Sequence, residues 1–303
     1  MLIYQYVILT VLLPFPALWN LIKQKNRFNY NWWAALVLFV LLLLFIFQAG
    51  AWPYLGFNWR YLIPAIYVLI FVILFWRKNK NISAQPKPSS RRGLIVSSIF
   101  ILLFTYTNIE IYRGGSTQED AIELAFPMRN GSYTIMQGGD SEIGNAVHRY
   151  NTPHSYAIDI VKLNENKKRG NQLFSKNVND YTIYGDTIFS PCDGTIITYY
   201  DGVEENIPPT TNLKKRGGNH VVIRTGDFKI LICHMQKNSI AVKRGDTVKT
   251  GDVIGLVGNT GFSIEPHLHI QAYKTERSIN MMVPIRFDGR FLNMNDIITS
   301  ERE

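Results

Sequence analysis

Four long apolar runs, at about 2–22, 31–51, 60–76 and 94–111, dominate the first 111 residues of the chain. Each approaches the roughly 20 helical residues that cross a hydrocarbon core. Pro14 and Pro16 predict a kink in the first run, which membrane helices tolerate. From about residue 125 the pattern changes to short β-type runs: YAIDIV, TIFSP, GTIITYY, HVVIRT, KILICHM, VIGLVG and HLHIQAY. Turn pairs such as Asp193-Gly194, Gly245-Asp246, Gly251-Asp252 and Gly258-Asn259 punctuate them, and no amphipathic helix of useful length appears. The pattern predicts an N-terminal α-helical transmembrane bundle of about four spans, residues 1–111. A linker at 112–124 follows, then a C-terminal all-β antiparallel sandwich or partly open barrel at 125–303.

Charge sharpens this division. The net charge is +9, yet residues 1–109 contain no Asp or Glu, the first acid being Glu110. Ten of the 32 basic residues lie in that stretch, leaving 22 against 23 acids in the remainder. The excess positive charge therefore belongs to the apolar half and reports topology, where a basic chain would otherwise invite a nucleic-acid reading. Lys23, Lys25 and Arg27 follow the first run, and Arg77, Lys78, Lys80, Lys87, Arg91 and Arg92 follow the third. The connection after the second has no basic residue before Arg60. Odd connections are thus expected in the cytoplasm and both termini outside, with Trp32, Trp33, Trp52, Trp59 and Trp76 as interfacial anchors. The first run lacks the basic leader and small-residue cleavage site of a signal peptide. No ionisable group sits mid-span, so the expected role of this half is an anchor, with no sign of a transport path. The two cysteines, Cys192 and Cys233, make neither a disulfide framework nor a CxxC knuckle and are read as small buried residues.

Chemistry concentrates in the second half. In Pro266-His267-Leu268-His269-Ile270 a strand would turn both imidazoles to one face, about 6.6 Å apart, with Leu268 and Ile270 in the core. His234 ends the apolar run Ile230–Met235; Cys233, its neighbour, should face the opposite way. Asp159 interrupts the apolar strand Tyr156–Ile160, where a buried carboxylate needs a partner or a cation. Catalytic zinc sites use three such His, Asp or Glu ligands and keep one position open. Each histidine also has a plain reading as a satisfied structural or surface side chain.

The segments YGDTIFSPCDGTI, GGNHVVI, CHM and VKRGDTVKTGDVIGLVGNTGFSIEPHLHI resemble, in order and spacing, the lysostaphin-type (LytM-like) zinc metallopeptidases with their duplicated hybrid motif. The likeness covers about residues 125–275, with its motif core at about 145–275, and none of the apolar half. It implies Zn2+ as cofactor and the peptides of cell-wall peptidoglycan as substrate. By position, Asp159 and His269 would be metal ligands, and His234 and His267 would serve catalysis. The usual N-terminal ligand position, four before the Asp, is Ser155 here. His148 in the preceding loop is taken as the third ligand, with His154 as the alternative; His220 is read as structural or rim. The expected function is a membrane-anchored endopeptidase working outside the plasma or inner membrane. The competing reading is an inactive wall-binding or regulatory domain acting on a partner hydrolase.

Overall fold

The computed structural model describes residues 2–24, 29–78, 90–116, 120–150, 156–276 and 279–301. The chain divides into two compact units, Met1–Tyr112 and Arg113–Glu303.

The first unit is helical. The apolar runs form α1 (Leu2–Leu12), α2 (Phe15–Lys23), α3 (Tyr30–Ala49), α4 (Trp52–Leu55), α5 (Trp59–Lys78) and α6 (Arg91–Arg113). The prolines divide the first run into two helices, because Pro lacks the amide that a continuous ladder requires. Four helical stretches, Tyr4–Lys23, Tyr30–Ala49, Trp59–Arg77 and Arg91–Arg113, are long and apolar enough to cross a membrane. Large apolar side chains, among them Leu9, Val68, Leu69, Ile99 and Leu102, remain exposed on this unit. A helix apolar on all sides suits either a protein core or lipid. Within it Tyr6 Oη donates to Ala49 O at 2.7 Å, and Gln48 Nε2 donates to Asn108 Oδ1 at 2.7 Å.

The second unit is built of strands. In chain order these are β1 (Ile122–Leu124), β2 (Gly131–Gln137), β3 (Ile158–Leu163), β4 (Thr187–Phe189), β5 (Gly194–Tyr200), β6 (Asn219–Thr225) and β7 (Phe228–Met235). They continue with β8 (Thr247–Val248), β9 (Val253–Leu256), β10 (Leu268–Glu276), β11 (Ile279–Val283), β12 (Ile285–Phe287), β13 (Arg290–Phe291) and β14 (Ile297–Ser300). Between β2 and β3 lies one short helical turn, α7 (Ala146–Arg149). The main sheet runs β14-β2-β3-β10-β7-β6-β5-β8, with β11 added beside β10. Its pairings are antiparallel, whereas β1 pairs with β12 in parallel. That strand falls within the segment read from sequence as a linker.

Strand β10 lies at the centre of the main sheet. On one edge it pairs with β7 over most of its length, and on the other with β3 at its start and β11 at its end. Leu268, Ile270 and Ala272 are buried in a core with Ile158, Ile160, Ile230, Ile232 and Ile135. Alternation therefore sends His269 and Gln271 to the opposite face.

Candidate active site

The site sits where three strands meet. In the antiparallel register His269 is opposite Asp159 on β3 and Cys233 on β7. Directly paired residues project from one face, so Asp159, His269 and Cys233 form a row across the sheet. His234 follows in sequence but has φ 62°. This left-handed residue breaks the two-residue alternation, and its ring packs 5.5 Å from that of His269. The expectation that Cys233 and His234 face opposite ways is thereby corrected. Cys233 is no nucleophile: burial, with a contribution from Asp159, pushes its thiol up to about 12.

His148 reaches the row from α7, in the loop between β2 and β3. Its Nε2 is 3.3 Å from Asp159 Oδ2, and its ring is 5.0 Å from that of His269. His269 Nδ1 is 2.8 Å from Asp159 Oδ1. His267 Nε2 approaches the same Oδ1 at 3.5 Å, and its ring lies 4.9 Å from that of His234. Two sets of donors thus converge, His148 with Asp159 and His269, and His234 with His267 and His269. Within each set the ligand atoms lie within 4.8 Å of one another. His154 lies outside the described residues. His220 stands one strand further out, stacked on Tyr200 with its Nδ1 2.9 Å from Gly218 O.

Electrostatics follow from this packing. Burial raises the Asp159 carboxyl, but the His148 and His267 imidazoles outweigh it and hold the group well below the ordinary carboxylate range. Burial lowers His234 well below the usual imidazole value, helped by His267 and His269. Burial also pulls on His267, yet the Asp159 carboxylate prevails and raises it. A buried, ionised carboxylate ringed by imidazoles is the donor set that a divalent cation satisfies, and zinc takes such ligands.

The loop Gly258–Ser263 brings its Gly-Asn-Thr-Gly segment against His234. Thr260 O accepts from His234 Nδ1 at 2.7 Å, and Thr260 Oγ1 donates to Met235 O while accepting from Asn219 N. A side chain at Gly258 would strike the backbone of Met235 and Gln236, and one at Gly218 would strike Thr260. Those glycines permit the approach that sets His234. On the other side, Glu265 O accepts from His267 Nδ1 at 2.8 Å. The Glu265 carboxylate is itself clamped by buried Arg169 at 3.0 Å, which ties the loop bearing Arg169 to the segment just ahead of β10. These supporting groups escape sequence reasoning, since nothing local marks a carbonyl as an imidazole's partner. Gln271 was missed as well, although a signal existed: two residues beyond His269 on one strand, it shares the histidine's face.

Residues 176–281 match the model of peptidase family M23. The chain carries a peptidase family M23 domain. An uncharacterized metalloprotease of Haemophilus influenzae is 29% identical over 181 residues, 57% of this chain and 34% of that protein. The peptidoglycan DD-endopeptidase ShyA of Vibrio cholerae is 30% identical over 164 residues, 52% of this chain and 34% of that protein. The chain thus spans about a third of the length of these curated relatives, and its resemblance to them is that of the M23 domain. Among solved structures, a zinc-containing peptidase from Vibrio cholerae aligns with 54% of this chain and 39% of its own at 22% identity, TM-score 0.32. The M23 match begins after β3, so the strand bearing Asp159 and the loop bearing His148 lie upstream of it.

Proposed function

We infer that this chain is a membrane-anchored zinc metallo-endopeptidase that hydrolyses peptide bonds of cell-wall peptidoglycan outside the membrane. One observation carries the reading: His148, Asp159 and His269, from three separate segments, bring a ligand atom each within 4.8 Å of the others beside two further imidazoles. The family supports peptidase chemistry, and the relative ShyA supports the substrate class.

His148 through Nε2, Asp159 through its carboxylate and His269 through Nδ1 would hold the ion. Zinc bound there supplies Lewis acidity toward a scissile carbonyl and toward water. The remaining work falls to side chains. His234 and His267 each donate Nδ1–H to a backbone carbonyl, Thr260 O and Glu265 O, which leaves Nε2 as the basic nitrogen. The low proton affinity of His234 keeps it neutral and able to accept a proton. His267, whose ring lies 4.9 Å from that of His234, is placed to stabilise a developing oxyanion or to protonate the departing amine. Either substitution, His234→Ala or His267→Ala, should lower turnover about 100- to 10,000-fold with zinc retained. His269→Ala and Asp159→Ala should lose the metal together with hydrolysis. Metal analysis alongside digestion of purified wall fragments checks both, and undiminished digestion by the His269 variant would refute the scheme.

The anchoring role rests on the four apolar helices and on the acid-free sequence that contains them. With basic residues on the first and third connections, the M23 domain lies outside. A reporter fused after Glu303 should be active only when its enzyme works outside the cytoplasm; activity from a cytoplasm-dependent reporter would reverse the topology.

A further inference from the structure

Two buried carboxamides bracket the candidate ligands, and neither has a role in the reaction above. Asn145 is fully buried and Gln271 is 4% exposed. Asn145 Oδ1 lies 2.7 Å from His148 Nδ1, and Gln271 Oε1 lies 3.1 Å from His269 Nε2. The two imidazoles are thus engaged through opposite nitrogens. His148 is held at Nδ1 and turns Nε2 to Asp159; His269 is held at Nε2 and turns Nδ1 to Asp159.

The orientation of the Asn145 amide is dictated by its other end. Its Nδ2 donates to Gly139 O and to Ala157 O, both at 3.1 Å, so only its oxygen can face His148. An oxygen there requires a proton on His148 Nδ1 and leaves the lone pair on Nε2. The loop places Asn145 for this: Ser141 Oγ accepts from Ile143 N and Gly144 N, and Ser141 O accepts from Asn145 N. Gln271 reaches His269 by strand geometry alone, as its same-face neighbour on β10.

We propose that Asn145 and Gln271 are positioning residues that set opposite tautomers on His148 and His269, so that Nε2 of one and Nδ1 of the other are presented to a single zinc ion. The inference rests on the metal site proposed above. Groups of this kind fix ring orientation and ligand basicity, and their removal costs about 10- to 100-fold in metal affinity. A carboxamide does this without adding charge beside Asp159.

The test is zinc affinity of the full-length, detergent-solubilised protein, measured by chelator competition, with the unfolding midpoint of the metal-free form recorded for each variant. Gln271→Met fills the space without an acceptor and should weaken zinc binding about 10- to 100-fold; Gln271→Glu keeps an acceptor and should bind within a few-fold of wild type. Asn145→Leu should weaken binding similarly, and Asn145→Asp should recover most of it. Asp lacks the Nδ2 donors, so a purely structural role for Asn145 predicts that Asp and Leu fail alike. Equal affinity across wild type, Met and Leu variants overturns the proposal. Equal losses in acceptor-keeping and acceptor-lacking variants, matched by equal losses of metal-free stability, overturn it too. Wild-type protein that binds no zinc overturns instead the metal site beneath it.

Discussion

Single residues set this site by conformations that side-chain identity alone does not reveal. His234 belongs to the cluster only because its backbone enters the left-handed region. Gly218, with φ 60° and no space for a side chain against Thr260, holds the neighbouring strand in place. Gly218→Ala should therefore lower unfolding stability by more than about 1 kcal/mol, read by denaturant titration, because alanine meets both strain and crowding there. Arg169→Met leaves the buried Glu265 carboxylate without its cation, and a loss of about 3–5 kcal/mol is expected. Thiol chemistry gives a contrasting check. Burial pushes Cys192 up to about 11 and Cys233 up to about 12, so neither is a thiolate at pH 8. Iodoacetamide should leave both unmodified in the folded protein and label both after denaturation; rapid labelling of the native form would contradict the packing around β7.

At the level of elements, alternation made β3, β7 and β10 legible, because one face of each is apolar and the other carries an isolated polar residue. The same rule drew attention to Asp159 and His269 as polar positions on apolar strands, whereas His267, read as part of the same strand, lies just ahead of β10. The rule could not locate β2, whose polar ends mask the short buried stretch Tyr133–Ile135, nor two-residue strands such as β8 and β13. The four-residue α7 has no period to read, so His148 and His154 could be told apart only by resemblance. Strand β10 concentrates the consequences: Ile270 is fully buried on the face opposite His269. Ile270→Ala should destabilise the unit by about 2–5 kcal/mol in denaturant titration.

For the whole molecule, composition announced the division into a helical and a β-rich unit through the absence of acids from the first 109 residues. The boundary itself was less legible, since β1 pairs in parallel with β12 near the other end of the chain. Such a contact has no local signature. The β-rich unit has its own continuous hydrophobic core, from Leu124 to Leu292. A fragment covering 113–303 should therefore unfold in one cooperative transition by circular dichroism; a gradual, non-cooperative melt would show that the helices are needed for its fold.

Asp159 and His269 stand 110 residues apart in sequence, and only the pairing of β3 with β10 unites them. A nascent chain that has emerged as far as β7 owns the carboxylate and the His148 and His234 imidazoles, but lacks His267 and His269, which complete the cluster. On the proposed reading the metal site therefore cannot form until β10 has emerged and paired with β3.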